Sequence, residues 1–241
     1  AAVFAEAESR NIPFTVCQGN NDYSSGITNE DWLKIYAGYK NCIVFDESKD
    51  ADGRIDFNLE IKASNSDETA FNIWLNDTRS GGITDEQIAW YKTNMENISK
   101  HNASVIENME NKDELLEKYG KANSLLFFHI PIEEYKDAWR EYSENGFKNT
   151  GNVKLIYGVA SETGRVVFNS DTPTNLFETM QELGGNHGMF CGHDHVNNLS
   201  MDYKGIRLTY GMSIDYIAYA DIDTLGSQRG CTVITVINLA S

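Results

Sequence analysis

Short apolar runs of strand length alternate along the chain with stretches in which apolar residues recur at helical spacing, a pattern that predicts an α/β layered domain. The opening AAVFAEAESRN places Val3, Phe4 and Ala7 on one face of a helix ending near Arg10, and IPFTVC, residues 12–17, follows as a strand. After the turn QGNNDYSSG comes a helix NEDWLKIYAGYK with Asn29 as its expected N-cap. RIDFNLEIK and TAFNIWLN alternate as two strands, with Ile55, Phe57, Leu59 and Ile61 on one face and a hairpin across ASNSDE. ITDEQIAWYKTNMENISK has helical spacing and a capping box from Thr84 to Gln87, and it is expected to break at HNAS and resume through KDELLEKYG.

SLLFFHIP is a continuous apolar run closed by Pro131, as in a buried central strand, and it leaves His129 at that strand's C-terminal end. Residues 142–171 are polar and Gly-rich and are expected to form a lid. TNLFETMQELG reads as a helix, GMFCGHDHVNN as a strand ending in a His-rich turn, LSMDYKGIRLTYG as a hairpin turning at Lys204-Gly205, and GCTVITVINL as the strand that closes the sheet. No repeat or linker divides the chain, so residues 1–241 are expected to form a single domain.

Charge narrows the partners. A net charge of −16 argues against nucleic acid and against anionic membrane surfaces, both of which need a basic footprint, and an anionic substrate would have to be drawn in by bound cations. No apolar run is long enough to span a bilayer, and the N-terminus shows neither an initiator Met nor a signal-peptide pattern, so upstream sequence is expected and the compartment stays open. Cys17, Cys42, Cys191 and Cys231 lack metal-binding spacing and are expected to be mostly buried free thiols.

The chemistry concentrates in Gly192-His193-Asp194-His195. Two histidines at i and i+2 on an extended turn present both imidazoles to one side, where neutral rings suit Zn, Fe or Mn, and Asp194 is placed to orient a ring from behind. Taken singly, a strand-end His129 is an ordinary core histidine and Asn20 an ordinary turn residue. Together they put candidate ligands at three successive strand ends, the edge of an α/β sheet where ligands bind. Two other stretches are decoys. Gly185-Asn186-His187-Gly188 precedes the strand and belongs to the opposite sheet end, and SKDADGRIDFNLE, residues 48–60, echoes a calcium loop but lacks its first and twelfth-position carboxylates and reads as a turn at Asp52-Gly53.

GNND at 19–22, FFHIP at 127–131 and GHDHVN at 192–197 occur in the order of the motifs of the calcineurin-like metallophosphoesterases, and with WLNDTRSGGITDEQIAWY and LTYG the chain resembles the purple-acid-phosphatase-related branch over nearly its whole length. The resemblance implies a layered sandwich of two mixed β-sheets flanked by helices, here lacking its first strands. It implies hydrolysis of phosphate mono- or diesters, on a phosphorylated small molecule or phosphoprotein, by a hydroxide held between two divalent cations (Mn, Fe or Zn). It assigns Asn20, His129 and His193 to one metal and His195 to the other, with Asp22 and Asp194 behind them.

The family's D-x-H and G-D motifs do not precede Gly19, so the carboxylate ligands are absent and a dinuclear centre should be held poorly. The family's proton-donating His is replaced by Asn21, whose amide can contact phosphate but cannot act as a general acid. These departures leave two readings, an impaired metal-dependent phosphoesterase holding one metal ion or none, or a non-catalytic binding or scaffold protein on the same fold. A mononuclear site at Asn20, His129 and His193 is a third.

Overall fold

A computed structural model describes residues 4–47, 53–164 and 166–236. The chain runs α1 (Ala5–Ser9), α2 (Asn20–Ser24), α3 (Asn29–Ala37), β1 (Phe57–Lys62), β2 (Thr69–Asn76), α4 (Asp85–Ile106), α5 (Lys112–Tyr119), β3 (Ser124–Phe128), α6 (Glu133–Glu144), β4 (Val153–Tyr157), α7 (Leu176–Leu183), β5 (Asn186–Cys191), β6 (Ser200–Tyr203) and β7 (Ile206–Tyr210). The expected α/β architecture of mixed strands flanked by helices is what forms, and hydrogen bonding joins the strands into one seven-stranded sheet in the order β1-β2-β3-β5-β7-β6-β4. β2, β3, β5 and β7 run parallel at its centre, while β1, β6 and β4 are antiparallel to their neighbours. Their parallel direction brings the C-terminal ends of β3 and β5, and hence His129 and Gly192-His193, side by side.

Alternate residues of each strand serve two cores. Trp74, Leu126, Phe128, Met189, Cys191, Leu208 and Tyr210 face α4, α6 and α7 through Tyr91, Met95, Tyr135, Phe177 and Met180. The other face packs Ile55, Phe57 and Leu75 against Cys17, Trp32, Leu33 and Val44, so the segment around α2 and α3 lies across the β1–β3 half of the sheet. That packing sets the GNND turn beside the end of β3.

Several expected boundaries move. IPFTVC makes only an isolated bridge from Phe14 to Cys42, and the N-cap of α3 is Thr28, whose side chain accepts from the Asp31 N–H, one residue before Asn29. The long helix α4 does not break at HNAS. Asn102 is fully buried there and bonds Thr69 N–H at 2.7 Å and the carbonyls of Thr69 and Tyr119 at 2.8 Å each, a tertiary anchor that outweighs the weak helix propensity of the sequence. Residues 142–171 are not a lid: α6 reaches Glu144, β4 forms an edge of the sheet, and Val159, Ser161, Glu162 and Phe168 are bonded to the turn after β5. Residues 230–236 of GCTVITVINL form no strand, and the remainder of that stretch lies outside the described residues. Residues 48–52, the first part of the calcium-loop echo and of the Asp52-Gly53 turn, also lie outside the described residues, as do residues 1–3 with Val3. All four cysteines are free thiols, but only Cys191 is fully buried and Cys231 is exposed.

Candidate metal centre

The GNND turn is built tightly against β3. Gly19 N–H donates to Asp22 Oδ2 at 2.7 Å, which closes the first turn of α2 and fixes the backbone at Asn20. A Cβ on Gly19 would lie 2.9 Å from three ring atoms of His129, so only glycine leaves room for that imidazole. The ring uses the room: His129 Nε2 is 2.8 Å from Asn20 Oδ1, and since an amide oxygen can only accept, Nε2 carries the proton in this pairing. One helical turn on, the Tyr23 hydroxyl meets Asp77 and Gln18, and the Arg79 guanidinium lies 4.9 Å above the Tyr23 ring. Asp77 N–H and the side chains of Asn76 and Gln87 all donate to buried Asp56 Oδ1, which ties the end of β2 to the start of α4.

His129 lies just beyond β3. Burial pushes its pKa from 6.5 down to about 4, and the neighbouring His193 and His195 push it in the same direction, so near neutrality it is an uncharged imidazole able to bind a cation. Gly192 N–H donates to the His129 carbonyl at 3.0 Å and Asp194 N–H to the Gly192 carbonyl at 2.9 Å. Between those bonds His193 takes a left-handed backbone (φ 71°), a strained conformation for a residue with a side chain. The GHDH turn is therefore tightly folded rather than extended. His193 presents its ring edge-to-face to His129 with centroids 5.2 Å apart, while His195 turns its Nδ1 to Asp215 Oδ2 at 2.9 Å.

The two aspartates expected behind the ligands do different work. Asp22 acts through the backbone of the turn, as described. Asp194 is buried and accepts from Tyr210 Oη at 2.6 Å, Asn197 Nδ2 at 2.9 Å and Phe168 N–H at 3.1 Å, so it organises the loops and makes no ring hydrogen bond among the described residues. Burial raises its pKa. Asn197 Oδ1 accepts from Ser161 and Glu162 N–H, and Asn198 Oδ1 from Val159 N–H, which makes residues 158–164 and 166–170 a wall of the site, Phe168 being held by Asp194. Asp215, Tyr210 and these two asparagines escape the sequence reading. Tyr210 carried a signal as a hydroxyl at the end of a strand run and Asn197 as part of GHDHVN, whereas MSIDY offered none for Asp215.

The donor set fits one divalent ion better than two. The 2.8 Å between Asn20 Oδ1 and His129 Nε2 is a hydrogen-bond distance, and the two atoms would have to part only slightly to reach the roughly 3.4 Å between two ligands that each lie about 2.1 Å from a tetrahedrally bound ion. With His193 across from that ring, Asn20, His129 and His193 offer an ion no carboxylate to offset its charge. Two dications need intervening carboxylates to offset their repulsion. Among the described residues no three His, Cys, Asp or Glu side chains gather about one point, so the dinuclear centre does not fit. Asn21 is exposed, next to Asn20 in the first turn of α2.

No helix among the described residues is long and apolar enough to cross a membrane. No protein-family model matches the chain. It is 28% identical over 233 residues to the probable inactive purple acid phosphatase 14 of Arabidopsis thaliana, covering 91% of this chain and 54% of that protein. With the probable inactive purple acid phosphatase 29 of the same plant the identity is 25% over 247 residues, covering 98% and 58%. A third relative, the probable inactive purple acid phosphatase 28, is 31% identical over 96 residues, which is 40% of this chain and 20% of that protein. The chain thus spans a little over half the length of the two relatives it matches most fully. With the α/β fold and the ordered GNND, FFHIP and GHDHVN stretches, these matches make the chain a homologue of purple-acid-phosphatase-related proteins.

Proposed function

We propose that this chain is a metal-dependent phosphoesterase, acting on phosphate mono- or diesters of a small molecule or a phosphoprotein, whose chemistry is impaired in this form. The observation that carries the reading is the convergence of Asn20, His129 and His193 at the C-terminal edge of the parallel strands. A divalent ion held there, manganese, iron or zinc, supplies Lewis acidity and charge neutralisation to a phosphoryl group. The chain's own residues do the rest: His129, uncharged at neutral pH, and Asn20 hold position, the wall that carries Ser161 and Glu162 bounds one side, and Asn21 hydrogen-bonds a phosphate oxygen without giving up a proton. Loss of a general acid costs about 10²- to 10⁴-fold in rate, and least when the leaving group needs no proton. Slow metal-dependent turnover of p-nitrophenyl phosphate, exceeding that of an alkyl phosphate and lost in His193→Ala, is the expected result. Absence of turnover with any of the three metals would reject catalysis by this chain.

A non-catalytic binding or scaffold role on the same fold is the second reading, favoured by Asn21 and by the missing carboxylates. The relatives' names call those proteins inactive. Asn21→His separates the two: an impaired enzyme gains turnover on alkyl phosphates, and a scaffold gains none.

A further inference from the structure

The sheet end that carries the GNND turn is built around two buried aspartates. Asp56, just before β1, is fully buried, and Asp77, just after β2, is 1% exposed. They are joined directly. Asp77 N–H donates to Asp56 Oδ1 at 2.8 Å, and the same oxygen accepts from Asn76 Nδ2 at 3.1 Å and from Gln87 Nε2 of α4 at 2.7 Å. Asp56 Oδ2, by contrast, is buried with no hydrogen-bond partner among the described residues. An ionised carboxylate with one oxygen bare in a dry interior is strongly disfavoured, whereas a neutral acid with its proton on that oxygen leaves only an uncharged group unpaired.

Asp77 passes the state of that carboxyl outward. Its Oδ2 accepts from the Tyr23 hydroxyl in α2 and from Ile55 N–H at 3.4 Å, and its Oδ1 accepts from Arg79 N–H at 2.9 Å. Tyr23 follows Asn20 by one turn of the same short helix, and its hydroxyl also lies 3.0 Å from Gln18 Oε1. Thr78 Oγ1 accepts from Ile130 N–H at 3.1 Å, so the turn after β2 also touches the residue that follows His129.

Charged and titratable groups face Asp56 from every side. The Arg54 guanidinium donates to the carbonyls of Asp77 and Gly82. Glu47 N–H donates to the Asp56 carbonyl at 2.9 Å, while the Glu47 carboxylate accepts from Asn58 N–H at 3.2 Å. Burial pushes up the Cys17 thiol and the Tyr23 hydroxyl, with the aspartate charges adding to it, so both keep their protons at neutral pH. It raises Asp77 and Glu47 as well, and it carries Asp56 from 3.8 to about 6.

We propose that Asp56 is a proton switch built into this joint: protonated on Oδ2 it lets β2, α4 and α2 close on one another, and ionised it repels Asp77 and loosens the Tyr23 bond that holds the GNND turn. The turn is held tightest in mildly acid solution, whether or not an ion binds there. The closed joint keeps this proton more firmly than the opened one, so the added protection is complete below about 3.8 and is lost as pH rises through about 6.

Amide hydrogen exchange of the whole chain between pH 5 and 8, corrected for the intrinsic pH dependence of exchange, reads the switch. A carboxyl titrating at 3.8 in the opened joint and about 6 in the closed one removes about 10-fold of protection over that range. The expected fall appears in α2 and residues 77–82, is absent from α5, which opens without this joint, and vanishes in Asp56→Asn, whose amide mimics the neutral acid. An unchanged α2, an equal fall in α5, or the same fall in Asp56→Asn would overturn the proposal. Should Asp56→Asn not fold, the ¹³C carboxyl resonance of Asp56 in the parent chain decides. A midpoint near 6 that coincides with the loss of α2 protection supports the switch. A midpoint in the ordinary carboxylate range, or one unmatched by that loss, overturns it.

Discussion

Gly19→Ala isolates the packing that makes the site. The backbone at Gly19 is extended (φ −114°, ψ 175°), a conformation alanine adopts freely. Were the space open, the substitution would stabilise the protein by about 0.4–1 kcal/mol through loss of unfolded-state freedom. The structure predicts the opposite sign. The new methyl would sit 2.9 Å from Cγ, Cδ2 and Cε1 of His129, against an ordinary carbon contact of about 3.5–4.0 Å, so the ring must retreat by about half an ångström or more. Retreat is limited, because the His129 carbonyl is held by Gly192 N–H at 3.0 Å. Moving the ring also stretches the 2.8 Å bond to Asn20 towards the limit of useful hydrogen bonding. Overpacking of this kind costs about 1–3 kcal/mol, so a net loss of about 0–2.5 kcal/mol is expected in urea unfolding, with a changed His129 nitrogen resonance. A stability gain with that resonance unmoved would refute the tight apposition of the GNND turn and His129.

Other substitutions test other joints. Asn102→Ala removes three hydrogen bonds from a fully buried amide and strands their backbone partners, and a loss of about 2–4 kcal/mol is expected from chemical denaturation; a loss under about 1 kcal/mol would mean the bonds do not anchor α4. Burial raises the Asp56 pKa from 3.8 to about 6, with the Asp77 charge acting the same way. The folded protein then holds that proton more tightly than the unfolded chain, so the stability tied to it is full below about 3.8 and is lost as pH rises through about 6, a change of about 3 kcal/mol. Unfolding free energies from pH 4 to 8 should show this slope flattened in Asp56→Asn, and an identical slope would contradict it. Tyr210→Phe removes the 2.6 Å bond to buried Asp194 and should cost about 1–3 kcal/mol and speed hydrogen exchange in residues 158–170; unaltered exchange would detach Asp194 from that wall.

What was legible in the sequence is what local pattern controls. SLLFFHIP had to be a buried strand because its run of large apolar residues has no polar face, and this fixed His129 at a sheet edge. The hairpin at Lys204-Gly205 was equally local, since both residues take positive φ. Patterns needing a distant partner fared worse. GCTVITVINL alternates as a strand should, yet Val233 is 82% exposed and residues 230–236 find no sheet edge to join. Asn102 reads as a helix breaker until the Thr69 and Tyr119 backbones are placed beside it.

The same division runs through the site. Asn20, His129, His193 and His195 announce themselves by residue type and order. Asp215 is defined only by where the chain after β7 returns, and Asp194 faces Tyr210 rather than a ring because the left-handed turn at His193 redirects the residues that follow.

The central claim is that Asn20, His129 and His193 form a site for a single divalent ion at the end of the parallel strands. Mass-spectrometric metal analysis of the chain equilibrated with zinc and then desalted tests it most directly. One ion per chain, lost in His193→Ala, is the predicted result; two ions per chain, or one ion retained in His193→Ala, would contradict it.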